Sequence, residues 1–193
     1  PGKVLAELAG KPLIEHLLER MVWVAGREQV VLATSESPEN KILVELAESL
    51  GVAGFIGDEE DVLGRHVEVA RRYEAEHVVR VTGDNPLTDL GLVQSLTALQ
   101  LAEGADYSYV PGDALFMGIL PELISREALE RSHRDGEERH RSEFVTLYIK
   151  EKPNKFRIRQ MKIPKTLYRP EFRLTVDEPP DLELMRAVFE RLY

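Results

Sequence analysis

Along the first half of the chain, apolar residues alternate between helical spacing and short continuous runs. Leu13, Ile14, Leu17, Leu18 and Met21 repeat at helical spacing behind Pro12, a residue suited to a first helical position. Residues 29–33 read as a buried strand. Ser37-Pro38 opens a second helix with Ile42, Leu43, Leu46 and Leu50 on its apolar face, and Gly51 stops it in a left-handed cap. A strand over 52–56, a helix over 61–73, a strand over 78–82 and a helix over 90–101 follow. Strands separated by helices need crossover connections, so this half predicts a mostly parallel sheet with helices on both faces.

Beyond Glu103 the pattern is less regular. Residues 106–110 read as a strand, Pro111-Gly112 as a turn, 115–124 as an apolar segment, and Ser125 as the start of a helix. Residues 133–141 are almost wholly charged or polar and predict a solvated connection. Residues 143–150 read as an amphipathic helix, and 156–158 alternate like a half-buried strand. A last helix from Pro180 presents Leu182, Met185, Val188, Phe189 and Leu192 on one face. No linker interrupts the pattern, so residues 1–193 are expected to form a single domain.

Two strand-like runs end alike, in Thr82-Gly83-Asp84-Asn85-Pro86 and in Thr175-Val176-Asp177-Glu178-Pro179. A strand that stops at an Asp before a Pro puts that carboxylate at the carboxyl edge of a sheet, where open α/β folds bind ligands. Asp84 and Asp177 are therefore either caps of the following helices or a pair that holds one hard cation, which commonly serves phosphates. Near the N-terminus, Gly2-Lys3 and Gly10-Lys11 each set a lysine beside a glycine that permits close backbone approach to a ligand.

Composition narrows the classes. Of 193 residues, 43% are hydrophobic and 31% charged, an ordinary soluble balance, and no span is long and apolar enough to predict a membrane helix. A net charge of −9, from 34 acidic and 25 basic residues, disfavours a broad nucleic-acid surface, which needs a basic stripe. Cysteine is absent, which removes disulfides and thiolate nucleophiles and suits a cytoplasmic location.

The ordered set of Pro1-Gly2-Lys3-Val4-Leu5, Gly10-Lys11-Pro12-Leu13, Ala33-Thr34-Ser35, Glu59-Glu60-Asp61-Val62-Leu63-Gly64-Arg65, the Asp84 motif and the Asp177 motif resembles the cytidylyltransferase family. That family includes acylneuraminate and CMP-Kdo synthetases, and the branch it is most similar to is the SpsF-like proteins of spore-coat polysaccharide biosynthesis. The resemblance spans essentially the whole chain. It implies a three-layer, Rossmann-like α/β fold of the nucleotide-diphospho-sugar transferase type, and a magnesium-dependent transfer of CMP from CTP to the hydroxyl of an acidic sugar, with pyrophosphate released. It also implies Asp84 and Asp177 as Mg²⁺ ligands, Lys3 as a catalytic contact to the triphosphate, Lys11 as a second such contact, and Thr34, Ser35, Asp61 and Arg65 as CTP-facing residues. Family members normally carry a short hydrophobic strand and an Arg- and Ser-containing phosphate loop just before the Pro-Gly-Lys, and the sequence as given starts at Pro1. Phe144 stands where the nearest branch usually has histidine.

Two other readings remain: a noncatalytic nucleotide-sugar binding or scaffold protein, and a nucleotidyltransferase or glycosyltransferase using another nucleotide. Leu115, Phe116 and Met117, in the irregular segment from Asp113 to Ile119, form an apolar cluster suited to a homodimer contact or to a buried hairpin. His133-Arg134-Asp135 mimics a kinase triplet without the other kinase signals. His140 falls in the charge run and reads as solvated; His16, His66 and His77 lack metal-ligand spacing; Trp23 and Tyr73 read as packing residues.

Overall fold

The computed structural model describes residues 2–112 and 115–192. Pro1, which opens the Pro-Gly-Lys motif, and Asp113, where the irregular apolar segment begins, lie outside the described residues. In chain order the elements are β1 (Glu7–Leu8), β2 (Lys11–Pro12), α1 (Leu13–Ala25), β3 (Val31–Ser35), α2 (Lys41–Ser49), β4 (Ala53–Gly57), α3 (Val62–Arg72), β5 (His77–Arg80), α4 (Leu90–Glu103), β6 (Tyr107–Tyr109), β7 (Glu122–Ser125), α5 (Arg126–Asp135), α6 (Leu147–Glu151), β8 (Ile158–Gln160) and α7 (Pro179–Leu192). No helix among the described residues is long and apolar enough to cross a membrane.

Strands β3 and β4 pair in parallel, from Val31 against Ala53 to Ser35 against Gly57. A four-stranded sheet runs in the order β5-β7-β6-β8, with β7 antiparallel to both neighbours and β6 parallel to β8. Three strands of that sheet thus share a direction and β7 opposes them. The β1-β2 hairpin turns through Ala9 and Gly10, both at positive φ.

Successive side chains of a strand point to opposite faces, and β7 shows what that builds. Ile124 packs with Leu63, Val67, Leu129 and Ile149 on the face covered by α3, α5 and α6, whereas Leu123 packs with Leu92 and Leu96 of α4 on the other. Both side chains are buried, at 0% and 1% exposure, which stabilises each face by roughly 1.5–3 kcal/mol per residue. A third cluster joins α1 to β3 and α2 through Leu17, Leu18, Leu32 and Ala47. The fourth locks Leu8 and Leu13 against Val176, Met185 and Phe189, so the N-terminal hairpin and α7 pack on one another.

Several expectations are corrected by packing. Trp23 is 75% exposed, because it sits about 200° around α1 from buried Met21, on the side away from the core. Ile42 is exposed too, and Ala47 takes the buried place on α2. Residues 133–141 are largely exposed, as expected, but are not an irregular connection: α5 continues to Asp135, and a 3-10 turn at Glu138–Arg141 buries His140 to 2% exposure. The His140 ring stands edge-on to Tyr148, and its Nε2 lies 3.1 Å from Glu151 Oε2. The amphipathic helix expected over 143–150 is confined to α6.

Candidate active site

Both Thr-x-Asp-x-Pro turns lie where β5 and the Phe172 to Val176 stretch run out, and their backbones are joined. The Val176 N–H donates to the Asp84 carbonyl at 2.9 Å. Neither carboxylate caps the helix that follows. Asp89 caps α4 by accepting from the Leu92 N–H at 2.7 Å, and Asp181 accepts from the Asp177 and Glu178 N–H groups at 3.0 and 2.9 Å. Helix capping therefore does not account for Asp84 or Asp177.

Lys3 reaches both carboxylates. Its Nζ lies 3.0 Å from Asp84 Oδ2 and 2.6 Å from Asp177 Oδ1. The local chain explains the delivery: Gly2 takes a left-handed φ of 80°, and a tight turn at Lys3–Leu5 follows. Val4 and Ile14 close over Gly83, where a Cβ would stand 3.4 Å from Val4 and 3.2 Å from Ile14. Glycine at 83 thus lets the Lys3 turn lie directly on the Asp84 turn.

Each carboxylate is also held from behind. Asn85 Nδ2 donates to the Thr82 hydroxyl at 2.7 Å, and that hydroxyl donates to Asp84 Oδ1 at 2.6 Å. Asp177 Oδ2 accepts from Arg173, whose Nε lies 3.6 Å from Asp181. Hydrogen bonding to Lys3 holds the Asp177 carboxyl below the ordinary aspartate range. Partial burial pulls the Lys3 ammonium down, but its bonds to Asp177 and Asp84 outweigh that and leave its pKa above the usual lysine value. Among the described residues no group of three or more His, Cys, Asp or Glu is arranged to hold a metal, so the donor set here is the two carboxylates.

The expected CTP-facing residues gather at the carboxyl edge of β3 and β4. Thr34 and Ser35 end β3 and are buried, and the Ser35 hydroxyl accepts from Asn40 Nδ2 at 2.8 Å. Arg65 lies over Gly57, where a Cβ would approach its Cγ to 2.7 Å. Burial lowers the Arg65 pKa, with Asp58, Glu59 and Asp61 opposing. Asp61 caps α3 through the Gly64 N–H at 2.7 Å and bonds His133 Nε2 at 2.6 Å, so both its oxygens are engaged within the fold. Lys11 is held by Glu19 at 2.5 Å and Glu15 at 3.7 Å, and no contact joins it to Lys3, Asp84 or Asp177 among the described residues.

A cavity of about 460 Å³ adjoins the Asp84 turn, sharing Thr82 and Asn85 with it. Arg80 and Lys150 reach Glu122 on its wall, each at 3.0 Å, and Tyr107 and Thr146 donate to the same carboxylate. Burial pushes the Glu122 carboxyl up, but Lys150, Tyr107 and Arg80 more than offset it and its pKa stays low. Burial and Glu122 both push the Tyr107 phenol up. Two cations against one carboxylate leave the wall with one surplus positive charge. Sequence reading missed this wall and also Arg173. The hydrogen bonds to Glu122 come from Arg80, Tyr107, Thr146 and Lys150, which no local spacing connects, whereas Arg173 and Asp181 flank Asp177 closely enough to have been noticed.

This geometry coincides with a whole-chain match to a family model, Cytidylyltransferase, over residues 1–192. The chain belongs to the cytidylyltransferase family. It is 32% identical over 196 residues to the spore coat polysaccharide biosynthesis protein SpsF of Bacillus subtilis, covering 99% of this chain and 81% of that relative. It is 36% identical over 183 residues to an uncharacterized protein of Methanocaldococcus jannaschii, covering 95% of this chain and 74% of the relative. The solved structure of a cytidylyltransferase from Leptospira borgpetersenii superposes with a TM-score of 0.93 at 23% identity, covering 100% of this chain and 82% of that one. That likeness is one of fold, and the fold is the Rossmann-like α/β fold of nucleotidyltransferases. Leu115 is buried and Phe116 partly buried in the chain's own core, so that among the described residues of the segment read as a dimer contact or a buried hairpin Met117 is the exposed apolar one.

Proposed function

We propose that this cytidylyltransferase transfers CMP from CTP to the hydroxyl of an acidic sugar, releasing pyrophosphate, in the assembly of a surface polysaccharide. The observation that carries the reading is the convergence of Asp84 and Asp177 on one ammonium. A position that already accepts a cation between two hard oxygen donors suits Mg²⁺, which keeps several waters and usually binds through one or two carboxylates plus substrate phosphates. Asp84 and Asp177 would hold it. Bound there, Mg²⁺ supplies positive charge against the α-phosphate oxygens as negative charge builds on them.

The other roles belong to the chain. Lys3 would donate to the triphosphate when Asp84 and Asp177 hold the metal. Thr82, held by Asn85, fixes the direction of Asp84. Thr34, Ser35 and Arg65 face the nucleotide, and Asp61 serves that loop by capping α3. The cavity beside Asp84 receives the sugar, and its surplus positive charge from Arg80 and Lys150 favours an anionic acceptor. There the acceptor hydroxyl oxygen bonds to the α-phosphorus and gives up its proton to solvent as the bond to pyrophosphate breaks. We assign the reaction to the cytoplasm, where CTP is made.

The test is pyrophosphate release with Mg²⁺ and a panel of sugar acids, including 3-deoxy-manno-octulosonate and N-acetylneuraminate, against CTP, UTP, dTTP and GTP. Release with CTP and at least one sugar acid, with the CMP-sugar seen by mass spectrometry, is the expected result. Preference for UTP or dTTP, or nucleotide binding without transfer to any acceptor, overturns the reading.

A further inference from the structure

The rim of the acceptor cavity and the Asp177 turn are one piece of structure. Met117 and Gly118 line the cavity. Met117 forms an isolated parallel bridge with Arg173, its N–H donating to the Phe172 carbonyl at 3.3 Å and its carbonyl accepting from Leu174 at 2.7 Å. Phe116 meets Phe172 edge-on with ring centroids 5.4 Å apart. Gly118, at φ 99°, lies so close that a Cβ would stand 2.3 Å from the Thr175 nitrogen.

Arg173 closes this arrangement with its side chain. Nη1 donates to Met117 Sδ at 2.9 Å, Nη2 donates to Asp177, and Nε faces Asp181 at 3.6 Å. An exposed ion pair alone contributes little. Arg173 differs because its planar fork grips a cavity-lining residue and a site carboxylate at once, a geometry that lysine cannot reproduce.

We propose that Arg173 is a positioning residue that ties the acceptor rim to the Asp177 turn, so that acceptor placement depends on it while nucleotide capture does not; this rests on the transferase reading above. Its action passes through Met117 and Asp177, and it need not touch the substrate.

Arg173→Met, Arg173→Lys and Met117→Ala are compared with the wild type after melting temperatures establish that each is folded. In Arg173→Met, amide hydrogen exchange at Met117 and Leu174 is expected to quicken roughly tenfold as the bridge loosens. The KM for 3-deoxy-manno-octulosonate is expected to rise about tenfold or more, while the KM for CTP at saturating Mg²⁺ stays within about twofold. Met117→Ala moves the acceptor KM the same way by less, and Arg173→Lys recovers only part of it. Unchanged exchange at both amides in Arg173→Met, or CTP and acceptor KM rising together, overturns the proposal. Should the wild type fail to use that sugar acid, the transferase reading fails for that acceptor, and the exchange measurement still decides whether the tie exists.

Discussion

The Val176 amide and the Asp84 carbonyl, 2.9 Å apart, join two turns that lie far apart in sequence. A backbone bond of this kind fixes the separation of the neighbouring carboxylates whatever their side chains hold, so their chemistry can be altered without disturbing their placement. Asp84→Asn and Asp177→Asn should therefore each stay folded, with melting temperatures within a few degrees of the wild type. Each should lower Mg²⁺-dependent pyrophosphate release from CTP by roughly two orders of magnitude or more, the scale expected when charge stabilisation is lost at a reacting phosphate. Full activity in either variant contradicts the metal assignment.

Lys3 gives a prediction whose two parts differ in sign. Its ammonium is the cation shared by both carboxylates, so Lys3→Met leaves Asp84 without an ion-pair partner and Asp177 with Arg173 alone. Bare Mn²⁺ should bind this variant about tenfold more tightly than the wild type, read by electron paramagnetic resonance without nucleotide, because a like charge has been removed. Turnover of CTP should fall in the same variant, since a donor to the triphosphate is gone. Tighter Mn²⁺ binding that survives Asp84→Asn would show the ion to be elsewhere.

How far the chain announces this arrangement depends on the range of the interactions. Helices α2 and α3 are legible because Gly51 and Asp61 are local stop and start signals, and both act as such. Strand β7 is not separable within residues 115–124, because Leu123 and Ile124 are both buried, on opposite faces, and so show no alternation. His140 reads as solvated since its neighbours are charged, yet its burial is set by Tyr148 and Glu151 from the next helix. In the site, the repeated Thr-x-Asp-x-Pro makes the carboxylate pair visible. The meeting of Lys3 with both acids, and of Arg173 with Met117, is a tertiary event without a local pattern.

Gly118 tests the rim through stability. Its φ of 99° is a conformation that side-chain-bearing residues rarely adopt, and an added Cβ would fall 2.3 Å from the Thr175 nitrogen and 2.4 Å from the Leu174 carbonyl carbon. Backbone, unlike a flexible side chain, cannot simply turn aside. Gly118→Ala should cost on the order of 1–3 kcal/mol, measured as a lower urea midpoint with an unchanged slope. An unaltered midpoint would mean that the rim does not press against the 174–175 backbone in solution.

His66 makes stability depend on pH in a defined window. Burial of this α3 residue lowers its pKa from 6.5 to about 4; the Val62 carbonyl, 2.8 Å from Nδ1, favours the protonated ring, whereas Arg80 and Arg65 oppose it. The folded pKa is depressed, so between those values the unfolded chain binds the proton and the folded chain does not. Stability from this group is thus complete above about pH 6.5 and declines as pH falls toward 4. The shift corresponds to at most about 3 kcal/mol, and the part of the ring that still meets solvent reduces this to on the order of 1–2 kcal/mol. His66→Gln keeps a donor for the Val62 carbonyl and cannot charge, so its urea midpoint should fall less steeply than that of the wild type from pH 7 to 4.5. Carboxylates held low, such as Asp177, are common to both proteins, so their loss of contribution in acid cancels in the comparison. Parallel pH profiles for the two proteins would show that His66 titrates normally, and that its ring is open to water in the folded state.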